Sequence, residues 1–534
     1  MTNSKTVTQT TAGGTLTIIP KDKPYYEAEN TNAFAVIKSD GSVLAWGDKN
    51  SGGSMSSVES QLNGNVPITQ IYTNSGAFAA LSSTGSVVTW GNKDSGGDSS
   101  AVALQLNGSI PVKQIYSNGN AFAALRSDGS VITWGNKSYG GDSSAISYLV
   151  NGSANPVTQI YSGNWGAFAA LRTDGSVVTW GDQNSGGDSS AVADKLNGSI
   201  AVAEIYSNGN AFAALRADGS VISWGKADYD DVSGQAIQID STAVATQLSA
   251  GVTQIIPLNG MMSGAFAAIQ ADGSVYTWGA KDSGSDMSSV AIELNGTIPV
   301  TQIYFASGSI NSAVAALRDD GTLITWGGAG FNTTTLQPIV IDSKAVNSQI
   351  NGTIPLKQIY SPVKQIYSHD GLMGGAFAEL RADGSVFTWG EAISGGDSSS
   401  VANQLDGKID VTQIYSGRGA FAALRVDGSV VTWGNKNYGG DSSLVANKLD
   451  GKIDVTQIYS GNGTAFAALR VDGSVVTWGD KNCGGDSNAV ANDLNGSIPV
   501  TQIYSNGNAF AALRVDGSIC PAWFAQEISD TVRL

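Results

Sequence analysis

The chain has 534 residues, 41% of them hydrophobic, and its 29 Lys and Arg against 45 Asp and Glu leave a net charge of −16 at pH 7. That balance disfavours nucleic acid and anionic membranes, because both call for a basic face. No run of eighteen apolar residues marks a membrane span, and two cysteines, Cys483 and Cys520, are too few for a disulfide framework or a thiolate metal site.

Residues 1–14 are rich in Thr, Ser and Gly, lack the apolar core of a secretory signal, and read as a flexible tail. The expected location is cytoplasmic; export by a route that needs no such signal is the alternative. From residue 15 to 518 one phrase returns, Ala-Phe-Ala-Ala-Leu-Arg-x-Asp-Gly-Ser-Val-x-Thr-Trp-Gly. Its tryptophan falls at Trp46, Trp90, Trp134, Trp180, Trp224, Trp278, Trp326, Trp389, Trp433 and Trp478, in steps of 44 to 63 residues. Length alone suggests two to four domains, but a period of this size marks a propeller, solenoid or array. The reading is one array of ten to eleven units.

Each unit begins with a short alternating run such as Val112-Lys-Gln-Ile-Tyr116. Two further runs follow, as Ala77 to Leu81 and Ser86 to Trp90 in the unit around Trp90, and the turn between them is Asp-Gly in most copies, as at Asp128-Gly129. Asp-Gly between apolar runs predicts a hairpin with a two-residue type I′ turn. That turn sets Ser127 opposite Ser130, Leu125 opposite Ile132, Ala123 opposite Trp134, Arg126 opposite Val131 and Ala124 opposite Thr133. Both faces are then apolar or small, so each hairpin is expected between two neighbours. The stretch Gly96 to Gly108 predicts a loop, about two turns of helix and a left-handed stop. Asp98 or Ser99 caps the helix, Val102 and Leu106 share a face, and Asn107-Gly108 ends it.

Units one to five are regular, through Trp224. The section 226–375 is irregular, with altered linkers at Lys226 to Thr253 and Gly328 to Leu336 and a local duplication, Leu356-Lys-Gln-Ile-Tyr360 followed by Val363-Lys-Gln-Ile-Tyr367. Units nine and ten are regular again. An eleventh starts at Val500, but Pro521 falls where its last strand runs, and proline cannot donate to a sheet ladder. The final hairpin is therefore expected to be imperfect, with 519–534 as a divergent cap or tail.

This pattern resembles the repeat of the regulator of chromosome condensation family, especially its divergent bacterial members, over about Leu16 to Ser518. The resemblance implies a β-propeller that serves mainly as a protein-binding platform; the founding member promotes nucleotide exchange on a small GTPase. The units here are shorter, and ten or eleven replace the usual seven. The family's His before the second strand is Ala or Gly, and its Gly-Gln-Leu-Gly segment is Gly-Gly-Asp-Ser-Ser. No exchange-factor residue has a counterpart. The expected fold is an all-β, propeller-like ring of units, each a three-stranded antiparallel sheet plus a short peripheral helix; an open β-solenoid is the alternative.

Little in the chain points to catalysis. The single histidine, His369, argues against triads and imidazole chemistry. Asp98, Asp142, Asp188, Asp397, Asp441 and Asp486 suit helix capping better than calcium, because the spacing is not that of the nonapeptide calcium repeat. Asp128, Asp174, Asp218 and Asp272 belong to turns. The recurring Arg126, Arg172, Arg216, Arg318, Arg381, Arg425, Arg470 and Arg514 are read as covering apolar surface and pairing with a turn Asp, with a ring of donors for an anionic or sugar ligand as the alternative. Asn107 and Asn295 stand in glycosylation-like triplets that the helix stop already explains. The expectation is a non-enzymatic scaffold without cofactor or metal that binds a protein partner, with a multivalent carbohydrate-binding protein as the alternative. Partner contacts are expected in the irregular section, at Tyr229, Met261, Met262, Phe305, Phe331 and Met373, where exposed aromatics and Met break the repeat.

Overall fold

The computed structural model describes residues 7–11, 14–18, 30, 32–38, 40–152, 154–163, 166–229, 236–239, 241–259, 264–306, 313–331, 338–340, 356–360, 376–460, 464–506 and 508–523. They are almost entirely strand, turn and short helix. Val7–Thr11 pairs with Gly14–Ile18 as a hairpin, and the expected border between tail and array falls inside it. Eleven antiparallel sheets follow among the described residues. The first has two strands, those ending at Tyr229 with Ala236–Gln238 and at Phe331 with Pro338–Val340 have four, and the rest have three. Contacts divide the chain into two compact units. One runs through Pro257 and takes in Met262–Ala268 and Trp278–Ala280; the other takes the remainder.

The unit around Trp134 shows how the sequence makes a sheet. Its strands are Val112–Ser117, Ala121–Arg126 and Val131–Gly135, in that spatial order. The hairpin turn differs from the two-residue expectation. Arg126 N–H donates to Ser130 O at 2.9 Å and Gly129 N–H to Arg126 O at 3.0 Å. Only Gly129 takes a positive φ, +78°. This is the three-residue loop, a turn closed by one left-handed glycine. It wins because the Asp128 carboxylate accepts the Ser130 N–H at 3.0 Å, which holds the aspartate at the turn's third position.

The extra loop residue slides the register by one. Leu125 lies opposite Val131, Ala124 opposite Ile132, Ala123 opposite Thr133 and Phe122 opposite Trp134. The pairing inferred from a two-residue turn, with Ala123 facing Trp134, is thus corrected. The shift changes which residues share a face. Phe122 and Trp134 now stack with ring centroids 5.3 Å apart. Their face packs on Ala77, Ala79 and Leu81 of the preceding sheet. The opposite face, Ala121, Ala123, Leu125 and Val131, receives Phe168 and Trp180 of the next. Large rings against alanines fill the gap between sheets at interior density. This first strand also carries a bulge, between Val112 and Gln114, as does Val157–Ser162 between Val157 and Gln159.

The peripheral segment forms as expected in place, but in 3-10 geometry. A first turn, Lys93–Ser95, is capped by the Asn92 side chain. The second, Ser100–Val102, continues by i→i+3 bonds to Leu106. Asp98 accepts the Ser100 N–H at 3.0 Å, while Ser99 takes a hydrogen bond from Thr89 instead. Val87 N–H donates to Leu106 O at 2.9 Å and clips the segment to the edge of the sheet. Between the two turns, Gly96 and Gly97 are both forced. A Cβ on Gly96 would lie 2.8 Å from the Phe122 ring, and one on Gly97 would lie 2.4 Å from the Gly91 carbonyl. The Gly96 carbonyl accepts the Trp134 indole N–H at 3.1 Å. In the last sheet Ile519–Trp523 does pair, and a register shift between Phe510 and Ala512 accommodates Pro521 and returns Trp523 to its place opposite Phe510.

The turn carboxylates make a measurable pH dependence. The Ser220 hydroxyl and N–H hold Asp218 below its ordinary value. At Asp174 partial burial works the other way, but hydrogen bonds from Ser176 and Asn155 outweigh it and hold the pKa at about 2. A depressed folded value means that the stabilisation is present above the unfolded pKa, near 3.8, and is lost as pH falls through the folded one. The melting temperature is therefore expected to drop between pH 4 and pH 2. In Asp174→Asn part of that drop should disappear; an unchanged acid profile would refute the assignment.

Candidate functional site

The chemistry-bearing side chains are mostly consumed by the framework. Nε of Arg126, Arg172, Arg216, Arg425, Arg470 and Arg514 donates to the hydroxyl that follows its own turn, at 2.6 to 2.8 Å. Turn carboxylates stand 3.8 to 3.9 Å from Arg216, Arg318, Arg425 and Arg470, whose side chains are about 15% exposed. Arg514 also binds Asp493 at 2.9 Å. The pairing of arginine and turn aspartate expected from the sequence is present for Arg216, Arg318, Arg425 and Arg470.

Shallow grooves open beside the third strands. One of about 580 Å³ has walls of Arg425, Ser429, Lys436 and Asp441 over Val431 and Leu449; another of about 500 Å³ is lined by Arg381, Phe387, Asp397 and Asp406. Their hydroxyls bond one another, with Thr432 to Ser442 and Thr388 to Ser398 at 3.0 Å each. This is a polar, hydrogen-bonding surface.

One position breaks the pattern. Where other units place Ala124, Ala170 or Ala423, the eighth has Glu379, with no exposed surface. It lies opposite Phe387 and Ile359. One carboxylate oxygen accepts Arg381 Nε at 2.6 Å; the other has no partner among the described residues. Arg381 rests 5.2 Å above the Phe387 ring. Burial pushes the Glu379 carboxyl above its ordinary value, and Arg381 opposes this only in part. A raised folded pKa in an acid costs stability as pH rises past the unfolded value near 4.5. Glu379→Ala restores the residue of the sibling units and leaves Ser385 to receive the arginine. The variant is expected to gain about 1 kcal/mol at pH 7 relative to pH 4, as when a buried ion pair gives way to apolar packing. A pH-independent difference in denaturation midpoint would contradict the burial of this charge.

Among the residues picked from sequence, Phe305 lies in Val300–Ala306 opposite Val314 and is half-buried. Tyr229 and Phe331 end the two long third strands, opposite Ala236 and Pro338. Met261, Met262, Met373 and His369 lie outside the described residues. Cys483 is half-buried and Cys520 is buried, where desolvation pushes its thiol up to about 12 and keeps it protonated at neutral pH. Among the described residues, no group of three His, Cys, Asp or Glu is placed to hold a metal ion. Sequence reasoning passed over the buried asparagines. Asn118 accepts two backbone N–H groups of its own loop and donates to Tyr139 O at 2.7 Å, and Asn74 repeats the bond to Ser95 O at 2.6 Å. The repeated Asn-x-x-Ala spacing was the available signal.

No family model matches the chain, and no curated protein does. Among solved structures, it is similar to Prp20p from Saccharomyces cerevisiae at 15% identity and a TM-score of 0.30, over 63% of this chain and 90% of that one. The CRINKLY WD40 ectodomain of the Arabidopsis thaliana receptor kinase ACR4 matches at 16% and 0.24, over 58% and 93%. Human WBSCR16 matches at 17% and 0.26, over 62% and 77%.

Proposed function

We propose that this chain is a non-enzymatic repeat scaffold that binds another protein, built on repeats like those of the regulator of chromosome condensation family. One observation carries the reading: the arginines, turn aspartates and hydroxyls that recur along the array are tied into turns and caps, whereas a position of the peripheral segment that differs between units stands in solvent. Leu104, Tyr148 and Ile292 occupy equivalent places in three peripheral segments and are 83%, 72% and 84% exposed. Large apolar side chains held in water on a varied surface are a feature of recognition. Within this reading, Tyr229, Met261, Met262, Phe305, Phe331 and Met373 are proposed contacts.

Affinity purification with the full chain, followed by titration of the recovered protein, tests the reading. Saturation at one partner per chain is the expected result. Recovery of no protein partner, together with glycan binding at a valency near the unit count, would replace the scaffold by the multivalent carbohydrate reading.

A further inference from the structure

The hairpin tips and the starts of the first strands are stitched into a ridge by backbone hydrogen bonds. In the C-terminal units the ladder runs Val411 N–H to Gly384 O, Val426 to Asp410, Val455 to Gly428, Val471 to Asp454, Val500 to Gly473 and Val515 to Pro499, all 2.8 or 2.9 Å. The residue after the conserved arginine sits on top of this ridge. In earlier units it is Ser83, Ser127, Thr173 or Ala217, and Ser127 and Thr173 make the same bond, to Pro111 and Pro156. The framework therefore has no need of an apolar side chain there.

The last three units nevertheless carry valine at this position. Val426 and Val471 are each 68% exposed and Val515 is 47% exposed. Beside them, one residue before the acceptor carbonyl, lie the exposed Ile409, Ile453 and Ile498. The aliphatic row is flanked by acids. Asp410, Asp427, Asp454, Asp472 and Asp516 are all exposed along it. The nearby cations are already engaged, since Lys408 and Lys452 lie 2.6 Å from Asp406 and Asp450.

We infer that this ridge, from Asp410 to Asp516, is a docking surface for an extended polypeptide segment in which aliphatic side chains alternate with Lys or Arg. The inference rests on the scaffold reading and names the chemistry of its partner. Aliphatic groups of such a segment cover the valine–isoleucine pairs, and its cations meet Asp410 and Asp454, for which no ion pair exists among the described residues. Charge complementarity selects the sign: a chain of −16 with an acidic, apolar ledge repels acidic segments and attracts basic ones.

A labelled peptide of alternating leucine and lysine is the probe, with a leucine–glutamate peptide as its counterpart, each titrated into the full chain. The variant Val426→Thr/Val471→Thr/Val515→Thr takes the residue that Thr173 shows to be compatible with the turn, and it keeps every charge. At least a tenfold loss of leucine–lysine binding is expected in this variant, with an unchanged melting temperature. Asp410→Asn/Asp454→Asn should weaken binding and reduce its salt dependence. Undiminished binding in the threonine variant, or equal binding of the leucine–glutamate peptide, overturns the ridge. So does concentration-dependent self-association that the threonine variant abolishes, which would make the occupant a second copy. If a protein partner is recovered but binds the threonine variant normally, the ridge fails and the scaffold stands; if no partner is recovered, it is the scaffold reading that fails.

Discussion

Replacing Trp134 by alanine is expected to cost roughly 3–5 kcal/mol, the range for emptying a packed aromatic site. The indole is 4% exposed, stacks on Phe122, and donates to the Gly96 carbonyl. It also closes the contact with the alanine face of the preceding sheet, Ala77 and Ala79. Removal leaves a cavity between two sheets and a carbonyl without its donor, and alanines on the far side are too short to refill the space. The described core contacts of this unit are with the preceding and following sheets, so the damage should be confined. Denaturation of the variant is expected to split into a weaker transition for the units around Trp134 and a near-normal one for the remainder. Hydrogen exchange should localise the loss to about residues 77–135. An unchanged midpoint would show that these rings contribute no packing.

The second large effect is expected at Gly97. Alanine there places a Cβ 2.4 Å from both the carbonyl carbon and oxygen of Gly91. Both are backbone atoms at the end of the third strand, so no flexible side chain can yield. Relief requires the Gly96–Gly97 loop to withdraw, which pulls the Gly96 carbonyl from the Trp134 indole. The cost is expected at the upper end of the overpacking range, roughly 3 kcal/mol. Gly251 supplies the control. Its φ is +80°, but a Cβ there meets nothing within 4 Å, so Gly251→Ala should cost only about 1 kcal/mol of backbone strain. Comparison of the two denaturation midpoints separates steric from conformational cost. Equal losses would remove the steric argument.

Much of the architecture was legible along the chain. The Trp period, the Asp-Gly punctuation, the alanine runs and the Asn-Gly stops report local preferences, and those preferences act over a few residues wherever the chain is placed. The pairing register was not legible, because Asp128-Gly129 suits a two-residue and a three-residue loop equally well until the Ser130 N–H finds the Asp128 carboxylate. The role of Gly-Gly was likewise hidden: Gly96 and Gly97 read as loop, yet what constrains them is Phe122, one unit later, and Gly91, behind them.

The same distinction separates the candidate surfaces. Composition alone set the negative charge, the near-absence of histidine and the lack of a cysteine framework. Arg216, Arg318, Arg425 and Arg470 stand beside turn aspartates as expected, since both lie within three residues on one hairpin, whereas Arg381 and Arg514 pair with Glu379 and Asp493 instead. Only the tertiary structure decided that Glu379, at an alanine position, loses all contact with water, because its burial depends on the neighbouring sheet packed over that face. Only there, too, do Val426, Val471 and Val515 become a row. They are 44 to 45 residues apart in sequence, and it is the backbone ladder between successive units that brings them onto one ridge.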